Sequence, residues 1–415
     1  MNAQPLNDPD TPRGCPVAHG EDITRLYGPG VATDPHGVYA QLRKEHGPVA
    51  PVLLDGDIPA WLVLGYRENR RVLDNPLQFA RDSRIWRDWN EGRIDATSPL
   101  IQVLGWRPDA VSQDGEPHRR LRAAVTDNLQ AMTGRGIRRH VTHYANKLID
   151  AFIDDGRADL VADFAEHLSM LVLCRVFGLA ENESRNLAES CKLVLNGGAE
   201  ALEHNERVMT ILADLAARKR EEPASDFTTG LIDHGAGLDE DEIVSHLRLV
   251  LITAHNMTSN LLARVLQLVL TDESRLSGLV SGQLNVSAVV EEVMWNTPPL
   301  VVLPGRFATA DIELGGCPIK EGDLVVLGLA AGNVDPEIRP DAGVSVQGNQ
   351  AHLAFSSGPH ECPGQNTGHS IIEVAVDILL HRLPGLRLAV PPEELTSTAS
   401  TWESRLDSLP IEFPV

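Results

Sequence analysis

Residues 352–364 read His352-Leu-Ala-Phe355-Ser-Ser-Gly358-Pro-His360-Glu-Cys362-Pro-Gly364. The stretch offers one thiol on a loop crowded with glycine and proline. An apolar run of helical period, His369–Leu383, follows at once. A cysteine just before a helix feels its positive end and free N–H groups, which favour thiolate. Pro363 fits the first helical position, where no N–H is needed. Gly358 and Gly364 let backbone come close to something flat. His352 and His360 bracket the loop as potential cations. These features describe a thiolate ligand offered to a large metal cofactor.

The segment Phe355–Gly364 resembles the haem-binding signature of the cytochrome P-450 superfamily, Phe-x-x-Gly-x-His/Arg-x-Cys-x-Gly. Five fixed positions fall within ten residues. The resemblance implies a mainly α fold with small β-sheets, and haem b (iron protoporphyrin IX) with Cys362 as thiolate on the iron. His352, Phe355, His360 and Gly364 are the haem-side residues it marks on this loop. The resemblance extends over essentially the whole chain.

Composition agrees with that reading. The chain has 415 residues and no linker or low-complexity stretch, so one large domain over 21–415 is expected after a flexible arm at 1–20. Five cysteines, with no pairing pattern and no C-x-x-C, point to a reducing compartment. No apolar run reaches membrane length and the N-terminus lacks a signal-peptide core, so a cytoplasmic protein without membrane contact is expected. A net charge of −22 argues against nucleic acid as partner.

Along the chain, Pro48–Leu64 alternates around Asp55-Gly56-Asp57 and predicts a β-hairpin. A short helix is expected over Tyr66–Asn75. Residues 76–113 lose periodicity and carry Trp86, Trp89 and Trp106, which either line a functional loop or plug the core. At Asp114-Gly-Glu-Pro-His118-Arg-Arg-Leu-Arg122, Pro117 starts a helix that puts His118 and Arg122 on one face. Two cations on one face suit a carboxylate, and by the resemblance they hold the haem propionates. Arg119 and Arg120 are expected at the surface, facing an acidic electron donor. Residues 136–235 carry amphipathic helices, with breaks at Asn196–Gly198 and Glu221–Ser225.

Leu238–Leu270 predicts the longest helix, acidic in its first turn and apolar all round, hence buried. It is interrupted by Thr253-Ala254-His255-Asn256-Met257-Thr258. The family places its oxygen-activating residues here, commonly as Ala-Gly-His-Glu-Thr-Thr. In that register Ala254 is the small residue over the haem, Asn256 replaces the acid, Met257 replaces the first threonine and Thr258 matches the second. Asn256 cannot titrate as a carboxylate and Met257 donates no hydrogen bond. Met257 then fills space or offers its thioether as a second axial ligand; a one-residue shift would make Thr258 the working alcohol.

The family's Glu-x-x-Arg pair falls on Glu292 and Trp295, so Glu292 needs another partner, with the Trp295 indole as candidate. The arginine that completes this cluster in the family has no clear match in 336–347. Arg306 stands where the family has a third propionate ligand, and Cys317 reads as structural. Residues 384–415 read as short strands and turns.

The resemblance implies an oxygen-dependent monooxygenase of a small metabolite, drawing electrons from a ferredoxin and ferredoxin reductase. Two alternatives stay open. One is a haem-thiolate enzyme with peroxide-driven, coupling or rearrangement chemistry, and the other an accessory protein for a partner enzyme.

Overall fold

The computed structural model describes residues 23–415 except 29–30, 32–33, 99, 133, 197–199, 342–344 and 399. The expected arm at 1–20 lies outside these residues, as do positions 197–198 of the Asn196–Gly198 break.

Strand β1 (Thr24–Arg25) and helix α1 (Pro35–His46) precede the hairpin of β2 (Val49–Leu54) and β3 (Ile58–Val63). The pair is antiparallel, closing on Leu54 opposite Ile58 as the Asp-Gly-Asp turn predicts. Gly56 and Asp57 both take left-handed φ, at 78° and 58°, and the Asp57 carboxylate is held by Arg25 at 2.7 Å. Helix α2 (Tyr66–Asp74) follows, with β4 (Phe79–Ala80) after it.

The stretch to 113 holds only short turns, among them Arg87–Asn90 and Ile101–Leu104. Its tryptophans divide. Trp86 is buried against Phe307, ring centroids 5.7 Å apart. Trp89 and Trp106 lie more than a third exposed, Trp106 beneath the Arg84 guanidinium at 4.5 Å.

Helices α3 (Gly115–Ala131), α4 (Gly134–Phe152), α5 (Glu166–Phe177), α6 (Ser184–Asn196), α7 (Ala201–Glu221) and α8 (Phe227–Ile232) lead to α9 (Glu240–Leu270). Strand β5 (Arg157–Asp159) lies between α4 and α5. Then come α10 (Glu273–Val280), α11 (Val286–Asn296), strands β6 (Val302–Ala308), β7 (Ile312–Leu314), β8 (Cys317–Ile319) and β9 (Leu324–Gly328), and α12 (Leu329–Asn333). The last helix, α13 (Gln365–Arg382), is followed by β10 (Arg387–Leu388), β11 (Ser397–Thr398), β12 (Arg405–Leu406) and β13 (Pro410–Glu412).

The main sheet runs β1-β2-β3-β9-β6-β4. Strand β9 sits between parallel β3 and antiparallel β6. All five of its residues are buried, which is why it reads as an unbroken apolar run. Cys317 donates weakly to Val49 O at 3.4 Å, a structural placement.

The 31-residue α9 spans about 46 Å at the usual rise. A reciprocal capping box starts it: Asp239 accepts from Glu242 N at 2.9 Å, and Glu242 accepts from Asp239 N at 3.0 Å. Two hydrophobic clusters share the helix. Ile243–Ile252 packs with α3, α5, α6, α7 and α8, whereas Leu261–Val269 packs with α4, α11 and α13. The polar interruption at 253–258 therefore falls at the seam between two cores.

One expectation is corrected nearby. Arg120 is only partly exposed, because its guanidinium pairs with Glu242 at the start of α9; Arg119 is exposed beside Glu116. Among the described residues no helix is long and apolar enough to cross a membrane.

Asp239→Ala should lower stability by about 1 kcal/mol, since it removes one half of the capping box. Urea denaturation checks this.

Candidate active site

The Cys362 loop is folded back on itself. Cys362 N donates to Phe355 O at 2.9 Å, and Ser356 N donates to Leu353 O at 2.7 Å. Ser356 takes φ 65° and Gly358 φ 69°. A Cβ built on Gly358 would lie 2.7 Å from Leu73 O. The close approach at Gly358 is thus to the end of α2, not to a flat ligand. At Gly364 a Cβ would meet Cys362 Sγ at an ordinary 3.8 Å.

Helix α13 begins at Gln365 with Gly364 as its N-cap, so Pro363 precedes the cap rather than opening the helix. Cys362 has accessible surface although it lies deep in the fold, facing inward. Burial pushes its thiol up, while the Gly364 N–H and Arg122 pull the other way. The helix end alone does not make a thiolate here; a coordinated metal ion would deprotonate it outright.

Basic side chains from distant segments gather beside this loop. His118 is buried on α3, its ring 4.1 Å from that of His360. Burial lowers its pKa, helped by Arg122, Arg119 and Arg306 and opposed by Asp114. Arg122 donates to Glu361 O, the residue before Cys362, and through Nε to Thr126 Oγ1 at 3.2 Å. Arg306, on β6, is 1% exposed, and burial drives its pKa well below the ordinary value, with Arg81 adding repulsion and Asp114 opposing.

Sequence reasoning passed over two members of this group. Arg81 is half-buried and donates to Val111 O at 2.8 Å and Gly305 O at 2.7 Å. Asp114 accepts from Arg81 N at 2.7 Å and pairs with His360 at 3.0 Å. The Asp114-Gly-Glu-Pro lead-in was the available signal.

His118 Nε2 and Arg306 Nη2 are buried with no hydrogen-bond partner among the described residues. Buried donors left in that state cost stability unless an acceptor meets them. They suit an anionic group placed between α3 and β6. His360 faces Asp114 and is pushed down to about 3, chiefly by burial, so it adds no cation of its own.

On α9 the exposed positions form a stripe. Val250, Ala254, Met257 and Thr258 are half-buried and Thr253 is exposed. Their spacing of i, i+3, i+4, i+7 and i+8 is one helix face. Ala254, Met257 and Thr258 thus share one face of α9, and Thr253 joins them, its Oγ1 turned to Leu249 O at 2.7 Å. Asn256 does not join. It is buried, and its amide donates to Cys191 O at 3.0 Å and Ile252 O at 2.9 Å. Both bonds go to backbone, one on α6 and one a turn back on α9 itself, so Asn256 is removed from the open face.

His352 also departs from its expected place. Its Nε2 pairs with Glu291 at 3.0 Å, both side chains almost wholly buried. Gln350 Nε2 adds a bond to Glu291 at 3.2 Å, and His369 Nδ1 lies 3.9 Å away. Burial works against ionisation of Glu291, but His352, His369 and Gln350 outweigh it and hold the carboxyl below its ordinary range. Phe355 stacks between His352 and His369, with centroids 5.8 and 5.5 Å away.

The buried carboxylate of α11 is therefore Glu291, not Glu292, which reaches Arg275 at 3.0 Å near the surface. Trp295 donates its indole N–H to Asn349 O at 2.7 Å instead of to Glu292. Arg339 lies over the Trp295 ring at 5.5 Å and donates to Asn296 Oδ1 at 3.0 Å. It comes from the 336–347 segment and packs on Trp295, a contact that the segment's sequence had not revealed.

Known proteins share this architecture. The pattern of the family described as Cytochrome P450 matches residues 285–394. A 2-hydroxy-5-methyl-1-naphthoate 7-hydroxylase of Streptomyces carzinostaticus is 30% identical over 402 residues, covering 92% of this chain and 95% of that protein. A mycinamicin IV hydroxylase/epoxidase of Micromonospora griseorubida is 30% identical, covering 97% and 98%. A myxobacterial cytochrome P450 in complex with myristic acid superposes with TM-score 0.85 at 26% identity, over 94% of this chain and 99% of that one.

Fold and relatives together define a haem-thiolate oxidoreductase. Coverage is nearly end to end on both sides. The chain belongs to the cytochrome P450 family and is a monooxygenase of that family.

Gly358→Ala should cost more than about 1 kcal/mol, from the positive φ and the contact with Leu73 O, while Ser356→Gly should gain up to about 1 kcal/mol. Thermal melts of the two variants should move in opposite directions. Glu291→Gln should lower stability at neutral pH by roughly 1.5–3 kcal/mol. Because the folded-state carboxyl titrates below its ordinary range, that deficit should persist above the range and close as pH falls through it. Urea denaturation at stepped pH reads the difference.

Proposed function

We propose that this monooxygenase holds haem b through Cys362 and acts on a small natural-product-like molecule with electrons from a ferredoxin and its reductase. The observation that carries the reading is the pair of partnerless buried donors, His118 Nε2 and Arg306 Nη2, beside the Cys362 loop. Donors on two separate elements, aimed where no protein acceptor stands, suit the carboxylates of a propionate-bearing macrocycle.

In this reading Cys362 Sγ supplies the metal ligand. His118, Arg306 and Arg122 neutralise the acid side chains, and Arg81 with Asp114 and His360 keeps that group in register. Phe355, packed on His352 and His369, supports the loop from behind, and Gly364 leaves the sulfur uncovered. When bound, the thiolate-ligated haem supplies oxygen activation, the thiolate favouring O–O cleavage. Ala254 leaves room on the open face of α9, Met257 fills part of it with apolar surface, and Thr253 and Thr258 offer its hydroxyls. Residues 76–113 bound the substrate side.

The substrate class rests on relatives named for hydroxylating a naphthoate and mycinamicin IV. The same reading takes 21–415 as one domain working in the cytoplasm. A second reading, peroxide-driven oxidation by the same site, is favoured by Asn256, whose engaged amide leaves no acid at that position.

Cys362→Ser should abolish the red-shifted carbon monoxide difference band of the reduced protein while leaving the fold intact by circular dichroism. An unchanged band would exclude Cys362 as ligand. Labelled molecular oxygen appearing in product only with a reductase present supports the first reading; product from peroxide alone supports the second.

A further inference from the structure

The end of the open stripe on α9 meets a buried carboxyl that the site has not yet used. Glu403, on the strand-like segment that bridges to Leu300, is 2% exposed. Its Oε2 accepts from Asn260 Nδ2 at 2.8 Å. Asn260 follows Met257 by three residues, so the two are neighbours on the helix surface. Ser259 Oγ, beside Asn260, donates to Asn256 O at 3.1 Å. Glu403 is thus tied to α9 just past the 253–258 interruption, at the start of the segment that packs with α4, α11 and α13.

Charged groups face Glu403 from each element around it. Arg405 and Lys192 favour its ionised form and Glu166 opposes it. Lys192 of α6 and Glu166 of α5 pair at 3.0 Å and are both partly exposed, which extends the network toward solvent. Beyond them Asp407 interacts with Arg405 and Lys192, and Arg264 with Asp407. Burial outweighs the cations and the Asn260 bond, and pushes the carboxyl up to about 7. The fold therefore favours the neutral acid, so its contribution to stability falls as pH rises from the ordinary carboxyl range to about 7 and levels off above it.

We propose that Glu403 is the titratable positioning residue of the reaction cavity, its protonation state setting, through Asn260, how α9 presents its open face. A neutral carboxyl can donate as well as accept; an ionised one only accepts. In so dry a place the carboxylate must draw donors closer or admit water. Asn260 is the donor on α9, one turn from Met257, so the adjustment falls on the helix that lines the cavity. The chain thereby keeps an exchangeable proton beside a site whose helix carries Asn256 in place of an acid.

The inference rests on the haem-thiolate reading, and the test separates the two. The haem-loaded protein is titrated over about two pH units either side of neutrality, following its ferric absorption spectrum and the infrared carbonyl stretch of protonated carboxyls. Wild type should show a spectral transition with a midpoint of about 7, matched by loss of one carbonyl band. Glu403→Gln, similar in size and shape, should lose both the transition and the band while retaining haem and melting cooperatively. Glu403→Asp should restore a transition at a shifted midpoint. Asn260→Ala should keep the band but uncouple it from the absorption spectrum.

A transition unchanged in Glu403→Gln, no transition in wild type, or full coupling retained in Asn260→Ala would each overturn the proposal. A protein with no thiolate signature in its carbon monoxide spectrum would overturn the haem reading instead. In that event the infrared titration still reports the Glu403 proton by itself.

Discussion

A carboxylate buried between two histidines ties helix α11 to the cysteine loop. Among the described residues no arginine pairs with Glu291, yet it is satisfied: His352 and Gln350 approach from the segment leading into the loop, and His369 from the helix after it. A buried carboxylate without such donors would be driven to protonate or to unfold its surroundings. Two of these side chains donate to Glu291 and the third lies 3.9 Å away, and together they bracket the thiol in sequence, at 350, 352 and 369. Satisfying one charge therefore fixes the loop at both ends, and Phe355 fills the gap between the two imidazoles. At the Cys362 thiol, burial outweighs the pull of the Gly364 N–H at the start of α13.

The opposite wall is built on a different principle. Arg81, Arg306, His118 and Arg122 crowd together, and burial weakens each as a cation. Asp114, itself shared with His360, stands against them together with Asp109 and Glu361. Such a group is poorly balanced by protein alone. Its unspent donors are pre-positioned for an anion, because the desolvation cost has already been met by folding.

Helix α9 connects these walls and carries the departure from the family's usual residues. Its two ends are committed to separate cores, so only 253–258 is free to serve chemistry. Within that window the side chains sort by direction. Met257 and Thr253 look outward, whereas Asn256 spends its amide on backbone. Glu403, from the C-terminal segment, bonds Asn260 just past that window. Polar function has moved from the helix itself to what packs against it.

Much of this was legible from local patterns. The cysteine signature, the alternation around Asp55-Gly56-Asp57, the capped 31-residue helix and the His118/Arg122 face all depend on neighbours within a few residues, and so they can be read along the chain. Partner choice is another matter. Glu291 and Glu292 are adjacent and chemically identical; which one is buried follows from how α11 rolls against residues 349–352, some 60 positions away. Trp86, Trp89 and Trp106 look alike in sequence, but only Trp86 finds Phe307 of β6. Arg339 and Glu403 sit in unremarkable segments and acquire their roles from Trp295 and Asn260. The chain by itself determined which elements form and where sulfur is offered, because those are short-range consequences of backbone and periodicity. Only the tertiary structure decided which charges are buried together, since desolvation is set by atoms that the sequence places far apart.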